Sequence, residues 1–451
     1  MAVDESFLWS VQPQAASLVG ELVQQFRQNC PAIEQMAQRL TSETGTRLID
    51  WVDHLAFPNN EPLARQLADV GYSSEESPDA SIWQHSDGLF PPIRFFARDA
   101  KRLVMKVDSI ADFVAAHGLH PGDEIDGLPL SPIRRARIAH NGETELWGIE
   151  RHGARAFVPL PADAKLQSLV LMHGETLRLR RRSYADDREG FSLLETLLRR
   201  AIRDLGTART CDLFFRCERL YWQSRNQAAR VQKERQDRLG IGWGNHDHHT
   251  YRSSREHFSA LMKVFRSLGF EFRERFYAGH EAGWGAQVLE HAQSGVVIFA
   301  DVDLAPEEVS GDFTTQPLPP RPELGTVGLW CKLHGESILQ AGMHHLECQF
   351  DFDAARSQLA ACGIETMKPF TDFPHLRQAF TRGERWVVAE DRLQSALSAG
   401  AISTEQADRF RTEGAVGSHL EILERNDGFK GFNQTGINEI IQATDPRGSA
   451  T

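Results

Sequence analysis

Two short patterns occur twice in the chain, in the same order, and this internal repeat restricts the possible folds more than any other sequence feature. Residues 53–57 (DHLAF) match residues 247–251 (DHHTY), and residues 146–151 (LWGIER) match residues 420–425 (LEILER). In both halves the first segment precedes a helical stretch that ends at a glycine. We interpret the pattern as an internal duplication with a longer second copy.

The spacing of apolar residues predicts the same order of elements in the two copies, strand, helix, strand, helix and a late strand. The predicted strands are 47–57, 102–107 and 145–151 in the first copy and 245–252, 341–350 and 419–425 in the second. We expect residues 1–165 to form the first copy with N-terminal helices, 166–240 a helical connecting layer, and 241–451 the second copy.

Composition and charge are those of a globular protein with a hydrophobic core. Apolar residues make up 41% of the 451 residues and the net charge is −12, which argues against nucleic acid or an anionic membrane surface as a partner. The six cysteines form no CxxC pair, as is typical of reduced thiols. We see no signal peptide and no apolar run of membrane-spanning length, and therefore expect a cytoplasmic protein.

Each predicted strand of the second copy contains a favoured candidate for binding a metal ion. These residues are His248, His345 and Glu421. Two imidazoles and one carboxylate form the facial triad that suits Fe(II) and leaves positions open for other ligands. Structural zinc would require a closed set of four ligands, which the cysteine pattern does not supply.

Three neighbouring residues are alternative ligands. His246 and His248 would share one face of a regular strand, and an HxH pair is a metal-binding pattern of its own. His344 and His345 cannot both face one metal, and we favour His345. Glu424 competes with Glu421, but a Glu-Arg pair also stands at its position in the first copy, which favours a structural role for Glu424.

Arg252 is the candidate for substrate binding. Alternation places His248, Thr250 and Arg252 on one face of the strand, with the Arg252 Cα about 13 Å from that of His248. A guanidinium group there could hold a substrate carboxylate while the other end of the substrate meets the metal. Less specific candidates for the cavity wall are His280, His334, Asn433 and Gln434.

The first copy serves as an internal comparison. His54 matches His248, but Trp147 stands at the position of Glu421, and the strand matched to His345 at 104–108 has no histidine. A single remaining ligand cannot form a mononuclear site. The first copy is therefore predicted to be metal-free.

These residues also carry a family resemblance. The DHHTYR segment at 247–252, HHLECQFDFDAARSQL at 344–359 and EILER at 421–425 resemble the 2-oxoadipate dioxygenase/decarboxylase family, within the vicinal oxygen chelate superfamily. The resemblance covers roughly residues 240–445, with His344 where the family has Asn before its second ligand. It implies His248, His345 and Glu421 as ligands of Fe(II), and Arg252 as a substrate-binding residue.

The same resemblance implies a fold and a reaction. The expected fold is α+β, with paired βαβββ modules that form half-barrel sheets, duplicated along the chain and supplemented by helices. The expected reaction is oxidative decarboxylation of a 2-oxo acid with dioxygen, giving a 2-hydroxy acid. A metalloenzyme that uses its metal as a Lewis acid (a lyase or isomerase) and a non-catalytic binding member of the superfamily remain alternatives.

Overall fold

The computed structural model describes residues 9–77, 80–97, 99–279, 282–321, 323–433 and 444–447. Within these ranges the chain forms fourteen α-helices and seventeen strands. The helices are α1 (Pro13–Asn29), α2 (Pro31–Arg39), α3 (Glu61–Asp69), α4 (Ile110–Ala116), α5 (Pro121–Glu124), α6 (Ala164–Leu179), α7 (Asp187–Leu205), α8 (Thr207–Ser224), α9 (Gln227–Asp237), α10 (Phe258–Ser267), α11 (Thr326–His334), α12 (Phe352–Ala361), α13 (Glu390–Ser398) and α14 (Thr404–Glu413).

The strands fall into two groups along the chain. The first group is β1 (Val52–Pro58), β2 (Tyr72–Ser77), β3 (Ala80–His85), β4 (Ile93–Phe96), β5 (Lys101–Lys106), β6 (Ile125–Asp126), β7 (Ile133–Asn141) and β8 (Thr144–Arg151). The second group is β9 (His246–Arg252), β10 (Glu271–Tyr277), β11 (Trp284–Glu290), β12 (Val297–Asp303), β13 (His345–Gln349), β14 (Thr371–Phe373), β15 (Leu376–Phe380), β16 (Glu384–Trp386) and β17 (Ala415–Arg425).

Each group forms one mixed sheet, and the two sheets share the same central strand order. The first has the order β2-β3-β4-β1-β5-β8-β7-β6. The second has β10-β11-β12-β9-β13-β17-β15-β14, and β16 pairs with β17 outside this path. In each sheet two βαβββ units meet at an antiparallel pair, β1 with β5 and β9 with β13. The predicted α+β class, the βαβββ modules and their duplication are confirmed.

Some strands and helices are shorter than the sequence predicted, for identifiable local reasons. The strand expected at 47–57 begins at Val52, because Leu48–Trp51 forms a 3-10 turn. The helix after β9, which the apolar spacing predicts at 254–268, begins only at Phe258, because residues 255–257 form a turn. The strand expected at 341–350 begins at His345, after a π-helical turn at Ser337–Ala341.

Helices cover the outer face of the second sheet. Tyr251 of β9 is fully buried against Phe215 of α8 and Phe265 of α10. Burial of each such aromatic side chain contributes about 1.5–3 kcal/mol. This packing fixes which residues of β9 face outward, and it leaves His248, Thr250 and Arg252 on the opposite face, as alternation predicts.

Four consecutive helices, α6 to α9, lie between the two groups of strands in the chain. Trp222 of α8 donates a hydrogen bond from Nε1 to Ser418 Oγ at 2.8 Å, which ties this layer to the second sheet. The division into domains at 165/166 and 240/241 stays a prediction. In the described part of the chain, no helix combines the length and the apolar character needed to cross a bilayer.

Candidate metal centre

Strand pairing brings the three predicted ligands together. In the antiparallel pair β9/β13, His248 stands opposite Glu347, and in the parallel pair β13/β17, Glu347 stands opposite Glu421. His345 is two residues before Glu347 and faces the same way. The ligand atoms of His248, His345 and Glu421 lie within 4.8 Å of one another, and all three side chains are buried.

A β-bulge at Asp247 decides which histidine of β9 faces the centre. The register shifts there, so that His248 pairs with Glu347 while His246 pairs with Cys348. One extra residue in a strand redirects the side chains on either side of it. His246 therefore packs on His249, with ring centroids 5.2 Å apart, and lies outside the cavity that His248 lines. The alternative HxH site does not form.

A buried chain of contacts holds His248 in place. Arg425 donates two hydrogen bonds to Asp247, Nε to Oδ2 at 3.0 Å and Nη2 to Oδ1 at 3.1 Å. Asp247 Oδ1 in turn lies 3.2 Å from His248 Nδ1. Burial acts to raise the pKa of Asp247, but Arg425 and His248 hold it well below its usual range. The ionised Asp247 accepts a hydrogen bond from the Nδ1–H group of His248, which leaves His248 Nε2 free to bind a metal.

Glu347 adds a second carboxyl group to the centre. Its Oε2 lies 2.6 Å from His248 Nε2, and it hydrogen bonds to Glu421. His345 Nε2 lies 2.9 Å from Glu421 Oε2, and Gln378 donates a hydrogen bond to Glu421 Oε1 at 3.1 Å. Alternation along β13 puts Glu347 on the same face as His345, and its contact with His248 depends on the pairing of β13 with β9.

The donor set fits a divalent cation. Burial raises the pKa of Glu421 to about 8 and that of Glu347 well above its usual range. Burial also lowers the pKa values of His248 and His345, so both imidazoles are neutral and can act as ligands. Two buried carboxyl groups that face each other are stabilised in the ionised form when a cation lies between them and the imidazoles.

The candidate ligands line one end of a cavity inside the curled second sheet. Side chains from β9, β10, β11, β12, β13, β15 and β17 contribute to its wall, so this sheet forms a half-barrel. The space between its walls, counted together with the part that is open to solvent, is about 620 Å³. Six aromatic rings account for most of its apolar wall, namely Phe276, Trp284, Phe299, Phe370, Phe380 and Phe432.

Arg252 lines the same cavity, and its charge is only partly neutralised. Its Nε lies 3.8 Å from Asp301 Oδ2, and its guanidinium carbon lies 5.7 Å from the Trp330 ring centre. The Nε and Nη1 groups are buried and lack a hydrogen-bond partner among the described residues. Unpaired buried N–H groups are costly. A ligand oxygen that accepts from them removes this cost.

Of the remaining candidate residues, some line the cavity and others lie away from it. His344 lines the cavity and its Nδ1 lies 3.1 Å from the Gly417 carbonyl oxygen, whereas His249 contacts Arg219 on the opposite face of the sheet. His334 contacts the Val416 carbonyl oxygen and is not part of the cavity wall. Asn433 does line the cavity. His280 and Gln434 lie outside the described residues.

Glu424 has the structural role that its repeat counterpart suggested. Its Oε2 accepts a hydrogen bond at 2.8 Å from the amide of Phe352, the first residue of α12. Glu150 accepts from the amide of Ile110, the first residue of α4, in the same way. A carboxylate there satisfies an otherwise unpaired helix N–H and interacts favourably with the helix dipole.

Two further cavity residues were not predicted from the sequence. Asp301 of β12 stands opposite Arg252 of β9 in the parallel register, and burial raises the pKa of Asp301 to about 7 against the opposing effect of Arg252. His419 of β17 stacks on Phe380 at 4.1 Å and lies beside His345. Both depend on pairings between distant strands, which local patterns do not reveal.

The first sheet has different side chains at most of the positions that correspond to the metal centre of the second sheet. Arg151 donates two hydrogen bonds to Asp53, which contacts His54 Nδ1 at 2.5 Å, so the support of the first histidine is retained. His54 stands opposite Val104, and Val104 opposite Trp147. These residues are the counterparts of His248, Glu347 and Glu421.

The counterpart of His345 is Arg102, two residues before Val104. The sequence comparison had matched His345 to the segment 104–108, which is wrong by two positions. The counterpart follows from the register in which β1 and β5 pair, which the sequence alone does not show.

Comparison with known proteins finds similarity at the level of structure alone. No family model matches the chain, and no curated protein matches it. The chain is similar to 4-hydroxymandelate synthase from Streptomyces coelicolor, at 12% identity over 88% of this chain and 98% of that one, with a TM-score of 0.30. It is also similar to a Mn(II)-bound glyoxalase from Novosphingobium aromaticivorans, at 9% identity over 85% and 86% of the two chains, with a TM-score of 0.20.

A third solved structure is the uncharacterised protein YdcJ from Shigella flexneri, which includes domain DUF1338. It is 13% identical over 59% of this chain and 74% of that one, with a TM-score of 0.24. At these levels of similarity, function has to be inferred from the residues of this chain.

Proposed function

We propose that the protein is an Fe(II)-dependent dioxygenase/decarboxylase that converts a 2-oxo acid into a 2-hydroxy acid one carbon shorter. His248, His345 and Glu421 are the proposed metal ligands. The observation that supports this most directly is a buried set of two imidazoles and one carboxylate at the end of a cavity that also contains Arg252. Such a set holds one face of Fe(II) and leaves positions for a substrate and dioxygen.

The overall reaction balances without a further reductant. A 2-oxo acid and dioxygen give carbon dioxide from the original carboxylate, one oxygen atom enters the new carboxylate, and the other forms the hydroxyl group. Bound Fe(II) supplies the redox chemistry of this conversion. The protein itself orients the substrate, excludes water and provides charge.

In this proposal Arg252 recognises the distal carboxylate of a 2-oxo dicarboxylic acid. Its buried N–H groups face the cavity, where a guanidinium group can hold a carboxylate with two parallel hydrogen bonds. Phe432 packs on Phe299 at 4.3 Å and on His248 at 5.3 Å between ring centres, so the metal end of the cavity is walled by rings. The aliphatic chain of the substrate would lie between the two ends.

Glu347 favours one second candidate, a Lewis-acid lyase or isomerase. A carboxyl group 2.6 Å from His248 Nε2 is placed where it could move a proton at a carbon next to a metal-bound carbonyl. The substrate chemistry in that case needs no dioxygen. The position of Glu347 is compatible with both candidates. Consumption of dioxygen distinguishes them, because only the dioxygenase requires it.

Dioxygen uptake by the anaerobically Fe(II)-loaded protein, measured against a panel of 2-oxo acids, tests the proposal. We expect uptake with a 2-oxo dicarboxylic acid, one carbon dioxide released per dioxygen, and loss of uptake in His345→Ala. His140→Ala, at an exposed position of β7, is the matched control and should behave as the wild type.

Two results would decide against the dioxygenase. A protein that binds one metal ion per chain but consumes no dioxygen with any member of the panel would favour the Lewis-acid candidate. Exchange of a substrate C–H proton with solvent deuterium, lost in Glu347→Gln, would then identify that chemistry. A protein that binds no metal after loading would contradict both candidates.

A further inference from the structure

A large cleft lies between the first sheet, helix α8 and the second sheet, and we call it the inter-sheet cleft. Its walls include the ends of β5 and β8, the loop after β3, one face of α8, the start of β9 and the turn between β11 and β12. Its volume is about 740 Å³, within the range of roughly 300–1,000 Å³ that is typical of small-molecule sites. In the described part of the chain, no residue lines both this cleft and the cavity at the metal centre.

Helical spacing on α8 directs two arginines into the inter-sheet cleft. Asp212, Arg216 and Arg219 follow each other at intervals of four and three residues, so they share the face of the helix that forms a wall of the cleft. Arg219 is only 6% exposed and donates one hydrogen bond, from Nη1 to His249 Nε2 at 3.1 Å. Arg216 donates from Nη1 to His152 Nδ1 at 2.7 Å. Neither arginine forms an ion pair with a carboxylate in the described ranges.

Lys106 brings a third cation to the same place. It is the half-buried last residue of β5, and its ammonium group forms no hydrogen bond or ion pair with the residues that the structure describes. Burial lowers the pKa of Lys106; Asp53 opposes this effect, and Arg219 adds to it. Lys106 and Arg219 also both interact electrostatically with His246, so these side chains lie together on the cleft wall.

The carboxylates closest to these cations have other partners. Asp53 accepts two hydrogen bonds from Arg151, at 2.7 and 2.8 Å. Asp108 accepts a hydrogen bond at 2.7 Å from a backbone amide in the loop before β9, and Asp212 contacts a histidine at 3.1 Å. These carboxylates reduce the positive potential of the cleft, but they leave the three cations without an ion-pair partner.

The remaining charged residues of the wall balance one another. Lys430 Nζ lies 3.9 Å from Glu290 Oε2, and the exposed Glu75 and Arg155 carry opposite charges. The cleft as a whole is therefore not strongly positive. The feature that calls for a ligand is the local group of three cations without carboxylate partners.

A second cleft of similar size serves as an internal comparison. Its volume is about 720 Å³, and it lies between α1, the start of β1 and the end of β17. Every arginine on its wall has a carboxylate partner, in the pairs Arg27–Glu34, Arg47–Asp50 and Arg425–Asp247. Cations without such a partner are therefore not a general property of the clefts in this chain.

We propose that the inter-sheet cleft is a binding site for a small organic anion, whose phosphate or carboxylate group is held by Lys106, Arg216 and Arg219. The anion supplies the missing negative charge and accepts hydrogen bonds from the N–H groups that lack an acceptor. Guanidinium groups donate pairs of parallel hydrogen bonds to such oxygens, and an ammonium group adds a compact charge. The volume leaves room for the organic part of the ligand beside Phe90 and Phe157 on the same wall.

The test is calorimetric titration of the full-length protein with inorganic phosphate, and separately with tricarballylate, in a chloride buffer. We expect saturable binding of one anion per chain, and the tighter of the two probes identifies the class of the anionic group. Lys106→Gln should weaken binding roughly tenfold or more, the usual effect of losing a charged hydrogen bond. Lys101→Gln is the matched control, because it removes the same charge from an exposed position of β5 outside the cleft. It should weaken binding less than about threefold.

A second measurement uses the wild type alone. An amine-directed acylating reagent is applied with and without a saturating concentration of the tighter probe, and the modified lysines are counted by peptide mass spectrometry. The bound anion should slow the modification of Lys106 and leave that of Lys101 unchanged.

Four outcomes would overturn the proposal. In the titrations these are no saturable binding of either probe, equal binding by the wild type and Lys106→Gln, or loss of binding in Arg252→Gln, which would place the anion in the cavity of the second sheet. In the acylation experiment it is an equal rate of modification of Lys106 with and without the anion.

Discussion

Arg425 donates two hydrogen bonds to Asp247, at 3.0 and 3.1 Å, across 178 residues of sequence, and so fixes the carboxylate that contacts His248. The same arrangement joins Arg151 to Asp53 and His54 in the first sheet. A carboxylate behind a metal-binding histidine sets its tautomer and its orientation. The two copies therefore offer a matched pair of positions for testing this role.

The Asp247→Asn substitution should lower metal affinity roughly 10- to 100-fold, because the amide no longer holds the proton on His248 Nδ1 as firmly. The affinity can be measured by competition with a chelator under anaerobic conditions. Asp53→Asn changes the same contact in the first sheet and should leave the affinity unchanged. An equal loss in the two variants would indicate that the effect is on folding and not on the metal centre.

The His248→Ala substitution should abolish stoichiometric metal binding, while His54→Ala should retain one metal ion per chain. Both histidines occupy the same place beside a β-bulge. Among the described residues, His248 lies within 4.8 Å of a second imidazole and a carboxylate that could bind the same ion, and His54 belongs to no such group. Metal content per chain after loading and desalting, measured by mass spectrometry, is the readout. Retention of the full metal content in His248→Ala would show that the ligand set is wrong.

The Arg252→Gln substitution should raise KM for a 2-oxo dicarboxylic acid roughly 10- to 100-fold, which corresponds to about 1.5–3 kcal/mol for a charged hydrogen bond. The effect on kcat should be smaller, since Arg252 is expected to bind the end of the substrate that does not react. A 2-oxo monocarboxylic acid of the same length is the control and should show little sensitivity to the variant. Equal effects on both substrates would argue against a distal carboxylate contact.

The Asp301→Asn substitution should stabilise the metal-free protein at neutral and alkaline pH. Burial raises the pKa of Asp301 from 3.8 to about 7, so the folded state holds a proton that the unfolded state releases. The wild type therefore loses stability relative to the variant as the pH rises from about 4 to about 7, by up to about 4 kcal/mol. Urea unfolding of both proteins at pH 4.5 and pH 8 checks this, and a gap that does not widen with pH would refute it.

Much of the fold follows from local patterns in the sequence. The repeated order of strands and helices, and the faces of β9, could be predicted because alternation and helical spacing depend only on neighbouring residues. The three proposed ligands could be selected because each lies on a different predicted strand. That Asp247 forms a bulge could not be seen in the sequence, since a bulge is defined by the partner strand.

The contents of the cavity were harder to predict. Glu347 touches His248, and Asp301 stands opposite Arg252, only because of registers between strands that are distant in the chain. Register is set by the packing of whole sheets and by turns, which a single sequence does not display. The same reason explains the two-position error that hid Arg102 as the counterpart of His345.

The first sheet retains the contacts that hold its histidine in place, and this makes it a suitable scaffold for an engineered metal site. His54, Asp53 and Arg151 still stand as their counterparts do, so two strand positions separate this sheet from a complete facial set: Arg102→His and Trp147→Glu would supply the missing donors. The backbone needs no redesign, and success would be counted as a second equivalent of bound metal. In a protein built this way, a few side chains determine whether a sheet binds a metal ion, and the backbone of the sheet is a common scaffold for both cases.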